Sequence, residues 1–300
     1  MSATHDLLVI GAGITGLHAA RHAAAAGLKV MIVESLLYGG LVTNVNELDG
    51  AFEGSGVDLA ATLMQEAKKA GAGYATDGVQ SIARDGDAFA VRGDSGAYRA
   101  KAVVIASGAK LRKLGVPGED DFEGAGVSSC ADCDGPFYDG LEVVVVGGGD
   151  SAVQEAAVLA EYAKHVHVVH RGAAFRAKAH LVAALSGKDN VTLHWNARVE
   201  EIYGESAVEG VRLKEGDAVR ELPCAGFFAY VGLEPNTAFA PTEVARDATG
   251  ALVTDASLQT AVPGLFAAGA VRAGYSGLLK DAAAEGIAAA TAAMAALRAG

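Results

Sequence analysis

The sequence predicts an α/β fold of two Rossmann-like (three-layer ββα) nucleotide-binding domains, the second inserted into the first. Three observations predict it. A short apolar strand, a glycine loop and a helix occupy Leu7 to Ala26, and the same order returns at Glu142 to Ala163. Each copy leads to a second strand ending on an ionisable residue 23 positions after the first loop glycine, Glu34 in one copy and His170 in the other. After the second copy the chain returns to a buried strand at Leu265 to Ala270 and a helix from Leu278 to Leu297. Those late elements resemble the first domain and make it discontinuous.

In the first copy, Leu7-Leu8-Val9-Ile10 is a continuous apolar run, as expected of a strand buried on both faces. Gly11-Ala12-Gly13-Ile14-Thr15-Gly16 follows, with Gly11 for the tight turn, Gly13 for close approach of a pyrophosphate and Gly16 for helix–strand contact. Gly27 stops the helix, and Lys29 to Val33 ends at Glu34-Ser35. A carboxylate there accepts from ribose hydroxyls and repels a 2′-phosphate, so this site suits FAD or NAD better than NADP. Gly39-Gly40-Leu41-Val42-Thr43-Asn44 is a glycine-led loop that reads equally as an approach to an isoalloxazine or as an ordinary turn. A helix from Val57 to Ala70 is followed by a meander of short strands from Tyr74 to Arg99, which includes Val79, and by a buried strand from Lys101 to Ala106 that ends at Ser107-Gly108.

In the second copy, Glu142 to Val146 is the strand and Gly147-Gly148-Gly149-Asp150-Ser151-Ala152 the loop. His170 and Arg171, with Arg176 close behind, offer cations where the first copy offers a carboxylate. Cations attract an adenosine 2′-phosphate, so this loop reads as an NADPH site; the plainer alternative is a strand end capped on the surface. Boundaries are expected at Leu114 to Glu119 and at Gly232 to Asn236, after the apolar run Phe227 to Val231. The first domain is expected to comprise 1–115 with 244–300, and the second 116–243.

The formal charge of 24 minus 36, or −12, argues against nucleic acid or an anionic membrane as partner. Three cysteines are too few for a secreted disulfide scaffold. The first residues hold no basic region or cleavable apolar segment, and the alanine-rich runs carry charges, so a cytoplasmic protein is expected.

Between the two loops lies Ser129-Cys130-Ala131-Asp132-Cys133-Asp134-Gly135. Zinc needs a second ligand pair, which the scattered histidines do not supply, so no metal is expected. A redox-active dithiol, a thiol sensor and two inert buried thiols remain, with the polar neighbours favouring the first. Asp134, adjacent to the pair, suits the proton transfer that opening or closing a disulfide requires, unless it is a solvated turn residue. Cys224, alone among apolar neighbours, reads as a core thiol.

Taken together, GAGITG at Gly11, IASGA at Ile105, CADCDGPFY at Cys130, GGGDSAVQEA at Gly147, HVVHRGAAFRA at His167, VGLEPNT at Val231 and GLFAAG at Gly264 resemble the low-molecular-weight thioredoxin reductases over nearly the whole chain. The resemblance implies a homodimer with FAD in the discontinuous domain and NADPH in the inserted one, passing electrons to thioredoxin or a similar disulfide. FAD is then expected at Gly11, Gly13, Ile14, Thr15, Gly16, Glu34, Ser35, Gly39, Gly40, Leu41, Asn44, Val79, Ala106, Ser107, Gly108, Gly269, Ala270, Leu278 and Leu279. NADPH is expected at Gly147, Gly149, Asp150, Ser151, His170, Arg171, Arg176 and Val231. Cys133 becomes the thiol beside the flavin, Cys130 the one that exchanges with the partner and Asp134 the proton carrier. Gly115 to Gly118 and Gly232 to Pro235 become hinges for rotation of one domain against the other.

The chain departs from that pattern in places. The family's terminal Gly-Asp reads Gly269-Ala270, its Arg-Gln-Ala reads Gly277-Leu278-Leu279, and its double Arg reads Arg171-Gly172. Losing one charged phosphate contact costs about 1 to 3 kcal/mol, about ten- to a hundredfold in affinity. The loop from Gly39 to Gly50 is shorter and lacks the family's Gln after the double glycine. The altered flavin motif keeps open a relative that draws on ferredoxin or another flavin, or that oxidises small dithiols with oxygen. A third possibility is a non-catalytic flavin redox sensor.

Overall fold

A computed structural model of the chain describes residues 4–45, 48 and 52–299, so part of the loop that follows Gly39 lies outside the described residues. The chain divides into two compact units, Met1–Lys110 with Glu234–Gly300, and Leu111–Leu233.

The first unit opens with β1 (His5–Ile10), α1 (Ile14–Ala25) and β2 (Val30–Glu34), then a 3-10 turn at Gly40–Asn44, α2 (Gly56–Lys69), β3 (Gly73–Thr76), β4 (Val79–Asp85), β5 (Ala88–Gly93) and β6 (Ala97–Ile105). The chain leaves it along β7 (Ala109–Leu111). In the second unit follow β8 (Val127–Ser128), α3 (Ala131–Asp134), a 3-10 turn, β9 (Glu142–Gly147), α4 (Asp150–Leu159), β10 (His165–His170), α5 (Ala179–Ser186), β11 (Val191–Trp195), β12 (Ala197–Gly204), β13 (Val208–Glu215), β14 (Ala218–Pro223) and β15 (Gly226–Tyr230). The return strand β16 (Leu233–Pro235) pairs with β7, and β17 (Leu265–Ala267) and α6 (Leu279–Ala299) complete the first unit.

The first unit's sheet runs β3-β2-β1-β6-β5-β4, with β17 also on β6. Leu7, Val9, Ala102 and Val104 face the core shared with the helices, while Leu8, Ile10, Val103 and Ile105 face a second core with Phe89 and Val91 of the meander. That two-sided burial is why these strands read as unbroken apolar runs, each aliphatic side chain contributing about 1.5 to 3 kcal/mol. The structure differs from the sequence expectation in two details. β3 lies parallel to β2 instead of opening the meander. β6 starts at Ala97, because its first half pairs antiparallel with β5 and its second half parallel with β17 along the same edge.

The second unit repeats the plan. Its parallel sheet is β11-β10-β9-β15-β8, and β12-β13-β14 form a separate antiparallel sheet. Val143, Val145, Val166 and Val168 face α3 to α5, and Val144, Val146 and Val169 face the three-stranded sheet. Cys224 is buried in this second core, where burial pushes its thiol up to about 12, as a packed core thiol should behave. The glycine stretch read as a hinge is partly tied down within this unit. Ile202 donates its amide to Pro117, and a Cβ on Gly118 would lie 2.0 Å from the Ile202 oxygen.

Close approach of α6 to α1 depends on Gly286, where a Cβ would lie 2.2 Å from the Thr15 carbonyl oxygen. Helix propensity alone favours Ala over Gly by about 1 kcal/mol. Overpacking against backbone outweighs it, so Gly286→Ala is expected to lower stability by about 1 to 3 kcal/mol in urea unfolding of the holoprotein; an unchanged or raised midpoint contradicts this packing.

Candidate active site

The thiol pair sits where β8 gives way to α3. Cys130 precedes the helix in extended conformation, and its Sγ accepts a hydrogen bond from the Cys133 amide at 3.2 Å. A disulfide joins Cys130 and Cys133. Asp134 turns back within the same segment. Its carboxylate accepts from the Ser128 hydroxyl at 2.5 Å, and that hydroxyl accepts from the Cys130 amide at 3.2 Å. One small side chain thus holds the expected proton carrier beside the expected exchange thiol.

Two further residues reach this segment. Glu155 of α4 accepts from the Ala131 amide at 3.1 Å and from the Tyr230 hydroxyl at 3.4 Å. Burial pushes the Glu155 carboxyl up to about 7. The sequence held one sign of Glu155, a carboxylate three residues after Ala152 and one before Ala156, beside the helix's buried stripe. Ser128 and Tyr230 carried no such sign.

The second glycine loop has room for a pyrophosphate. Gly147 is in a positive-φ conformation, and a Cβ there would lie 2.5 Å from the Tyr230 oxygen. Gly149 faces open space at the start of α4, which has no side-chain cap, so its first amides are available to an anion. Asp150 accepts from the Lys178 amide at 2.8 Å and pairs with its Nζ at 3.3 Å, adding Lys178 to the loop that carries Arg171 and Arg176. Both arginines are exposed. His170 is different: it is buried, its ring lying against Gly148 and packed with Phe175 and Trp195. His170 therefore shapes the loop, while the exposed cations stand at its rim. Ser151 lies exposed in the first turn of α4, and Val231 packs against the core under the three-stranded sheet.

The first unit carries a matching cradle. A Cβ on Gly11 would lie 2.3 Å from the Ala106 oxygen, and one on Gly16 would lie 1.9 Å from the Gly11 oxygen, so strand, loop and helix close tightly. Gly13 meets only the Gly39 oxygen, at 3.7 Å, and α1 likewise starts without a side-chain cap. Glu34 accepts from the Ala12 amide at 2.7 Å and from Ser35 and Leu36 at 3.1 Å, which fixes its carboxylate beside the loop. The Gly39 amide donates to Ala12, bringing the turn with Gly40, Leu41 and Asn44 against Gly13. Ile14 and Thr15 are buried at the start of α1. Gly269 packs on Thr15 from the far end of the sequence, with Ala270 next to it. Where a Gly-Asp pair is absent, the carboxylate that reaches this turn is that of Glu285, which accepts from the Gly269 amide at 2.7 Å and pairs with Arg272. Ser107 and Asn236 exchange hydrogen bonds next to Gly108. Val79 packs half-buried at the start of β4, and Leu279 against the helix-side core, while Leu278 is exposed. The glycines, the free helix start and Glu34 fit a dinucleotide such as FAD.

Among the described residues, no group of three or more His, Cys, Asp or Glu is placed to hold a metal ion, and no helix is long and apolar enough to cross a membrane.

Comparison with known proteins agrees with this geometry. The family model of the pyridine nucleotide-disulphide oxidoreductases matches residues 5–296. A thioredoxin reductase of Listeria monocytogenes is 40% identical over 90% of this chain and 86% of its own, and one of Treponema pallidum is 37% identical over 91% of each. A crystal structure of Lactococcus lactis thioredoxin reductase in the FR conformation superposes with a TM-score of 0.93 at 31% identity, covering 98% of this chain and 99% of that one. The chain belongs to the pyridine nucleotide-disulphide oxidoreductase family, and the relatives it matches along most of their length are thioredoxin reductases.

Proposed function

We propose that the chain is an FAD-dependent, thioredoxin reductase-like disulfide oxidoreductase that moves electrons from NADPH to a disulfide on thioredoxin or a similar small redox protein. The observation that carries this reading is the Cys130–Cys133 disulfide held against Asp134 by Ser128, in a unit with its own open glycine loop. When bound, FAD supplies a carrier that takes a hydride from NADPH and releases an electron pair to a disulfide.

The chain's own residues do the rest. Gly11, Gly13 and the first amides of α1 bind the FAD pyrophosphate, and Glu34 orients its ribose. Gly147 and Gly149 take the pyrophosphate of NADPH, while Arg171 and Arg176 attract its 2′-phosphate. Cys133 receives the electron pair, Cys130 exchanges with the partner disulfide and Asp134 carries the proton. Because the Pro117 carbonyl accepts from the Ile202 amide and Gly118 packs against Ile202, the pivot of the inserted unit is assigned nearer to β7 and to Gly232, which precedes β16. Function in the reducing cytoplasm agrees with a dithiol that must be reopened on every turnover, and the thioredoxin reductase-like reading carries a homodimer with it.

Ala270, with Leu278 exposed, favours one second reading, in which ferredoxin or another flavin is the donor, or a small dithiol is oxidised by oxygen. Steady-state assays with a thioredoxin disulfide separate the readings. NADPH should support turnover, and either Cys130→Ser or Cys133→Ser should abolish it while leaving the flavin bound. Turnover that survives in both variants sinks the dithiol route, and turnover only with reduced ferredoxin sinks the NADPH assignment. Arg171→Ala should raise KM for NADPH by about tenfold and leave KM for NADH unchanged, with quenching of Trp195 fluorescence as an independent binding signal.

A further inference from the structure

Glu155 is a half-buried carboxyl group that the scheme above leaves without a task. Its Oε2 takes the Ala131 amide at 3.1 Å, and two residues on, the Cys133 amide is taken by Cys130 Sγ at 3.2 Å. Both acceptors draw on the same turn of backbone. The charged and titratable groups facing Glu155 are Asp132 from α3, whose charge disfavours a second anion, and Tyr230 from β15, whose hydroxyl favours one. Asp134 is engaged with Ser128.

We propose that Glu155 is a positioning residue for the dithiol, its charge coupled to that of Cys130 through the amides of their common turn, so that opening the disulfide draws a proton onto Glu155. This rests on the reading of Cys130 as the exchanging thiol. Opening the S–S bond takes two electrons, supplied from NADPH through the flavin, and leaves negative charge on two sulfurs. Asp134, next to Cys133 in the chain, passes a proton from solvent to the Cys133 sulfur and leaves the Cys130 sulfur ionised. The anion left on Cys130 raises the proton affinity of the neighbouring carboxylate, and Glu155 takes its proton from solvent. Two electrons and two protons then enter for each disulfide opened. A neutral Glu155 in turn leaves the turn's amides to the Cys130 thiolate, the form that attacks a partner disulfide. With the carboxyl near 7, both of its states are populated at neutral pH.

Because coupling is reciprocal, the effect of Glu155 on Cys130 measures it. The test is alkylation of Cys130 by iodoacetamide in the flavin-loaded Cys133→Ser protein, reduced beforehand with dithiothreitol, with the modified residue located by peptide mass and the rate followed from about pH 5.5 to 9.5. With Glu155 present, the rate should rise in two steps, the lower one near pH 7. Glu155→Gln should leave a single step and make alkylation about three- to tenfold faster at about pH 8, the two profiles converging once the thiol is ionised in both proteins. Tyr230→Phe, which removes a donor from the ionised carboxylate, should move the lower step to higher pH, and it serves alone if Glu155→Gln does not fold. Profiles in the folded variants that superimpose on that of the parent overturn the coupling. Absence of Cys130 alkylation at every pH, in folded protein, overturns the exchange reading and the coupling with it.

Discussion

The amide hydrogens of one short turn, from Cys130 to Asp134, are what the chemistry of the inserted unit depends on. Cys130 gives its amide to Ser128, Ala131 gives its amide to Glu155, and Cys133 gives its amide to the Cys130 sulfur. Each donation fixes one participant. Ser128 fixes Asp134, Glu155 anchors the turn to α4, and the sulfur of Cys130 gains a donor that stabilises it as an anion. A thiol pair on a loose loop would lack all three. The β8–β15 pairing on one side and the Tyr230 hydroxyl on the other hold that turn to the parallel sheet.

The scaffold explains why one chain can carry two dinucleotide sites of opposite preference. Both units build a parallel sheet with helices on one face and antiparallel strands packed on the other, and both start a helix without a side-chain cap directly after a glycine turn. That arrangement offers uncapped helix-start amides to an anion twice. Selectivity is left to the end of the second strand and the loop beyond it. Glu34 holds a carboxylate against its own glycine loop, whereas the loop after β10 presents Arg171, Arg176 and Lys178 to solvent. On the proposed reading, electrostatics distinguishes a ribose with free hydroxyls from one bearing a phosphate.

Much of this was legible in the sequence because it is periodic or local. The unbroken runs Leu7 to Ile10 and Glu142 to Val146 announced strands buried on both faces, the glycines announced the loops, and the Cys130–Cys133 spacing announced a bridge. What stayed hidden is what tertiary packing decides. Glu155 lies 22 positions after Cys133 and Tyr230 lies 75 after Glu155, so only the folded sheet brings them to the thiols. His170 read as a cation for a 2′-phosphate, with a surface strand end as the alternative, yet the absence of side chains at Gly148 and Gly172 lets its ring sink into the loop. Gly118, part of the hinge that the resemblance implied, also has a packing task that the sequence did not show, since its missing Cβ serves contact with Ile202. The replacement of a Gly-Asp pair by Gly269-Ala270 was visible, whereas the arrival of Glu285 and Arg272 at that turn was not.

The central claim is that one electron path joins two nucleotide sites to one dithiol. Anaerobic titration of the flavin-loaded protein with NADPH, followed through the flavin absorbance, tests it most directly. Two acceptors of an electron pair, the flavin and the Cys130–Cys133 disulfide, predict bleaching complete at about two NADPH per flavin, falling to about one in Cys130→Ser. A flavin that stays oxidised, or an endpoint the same in both proteins, contradicts the account.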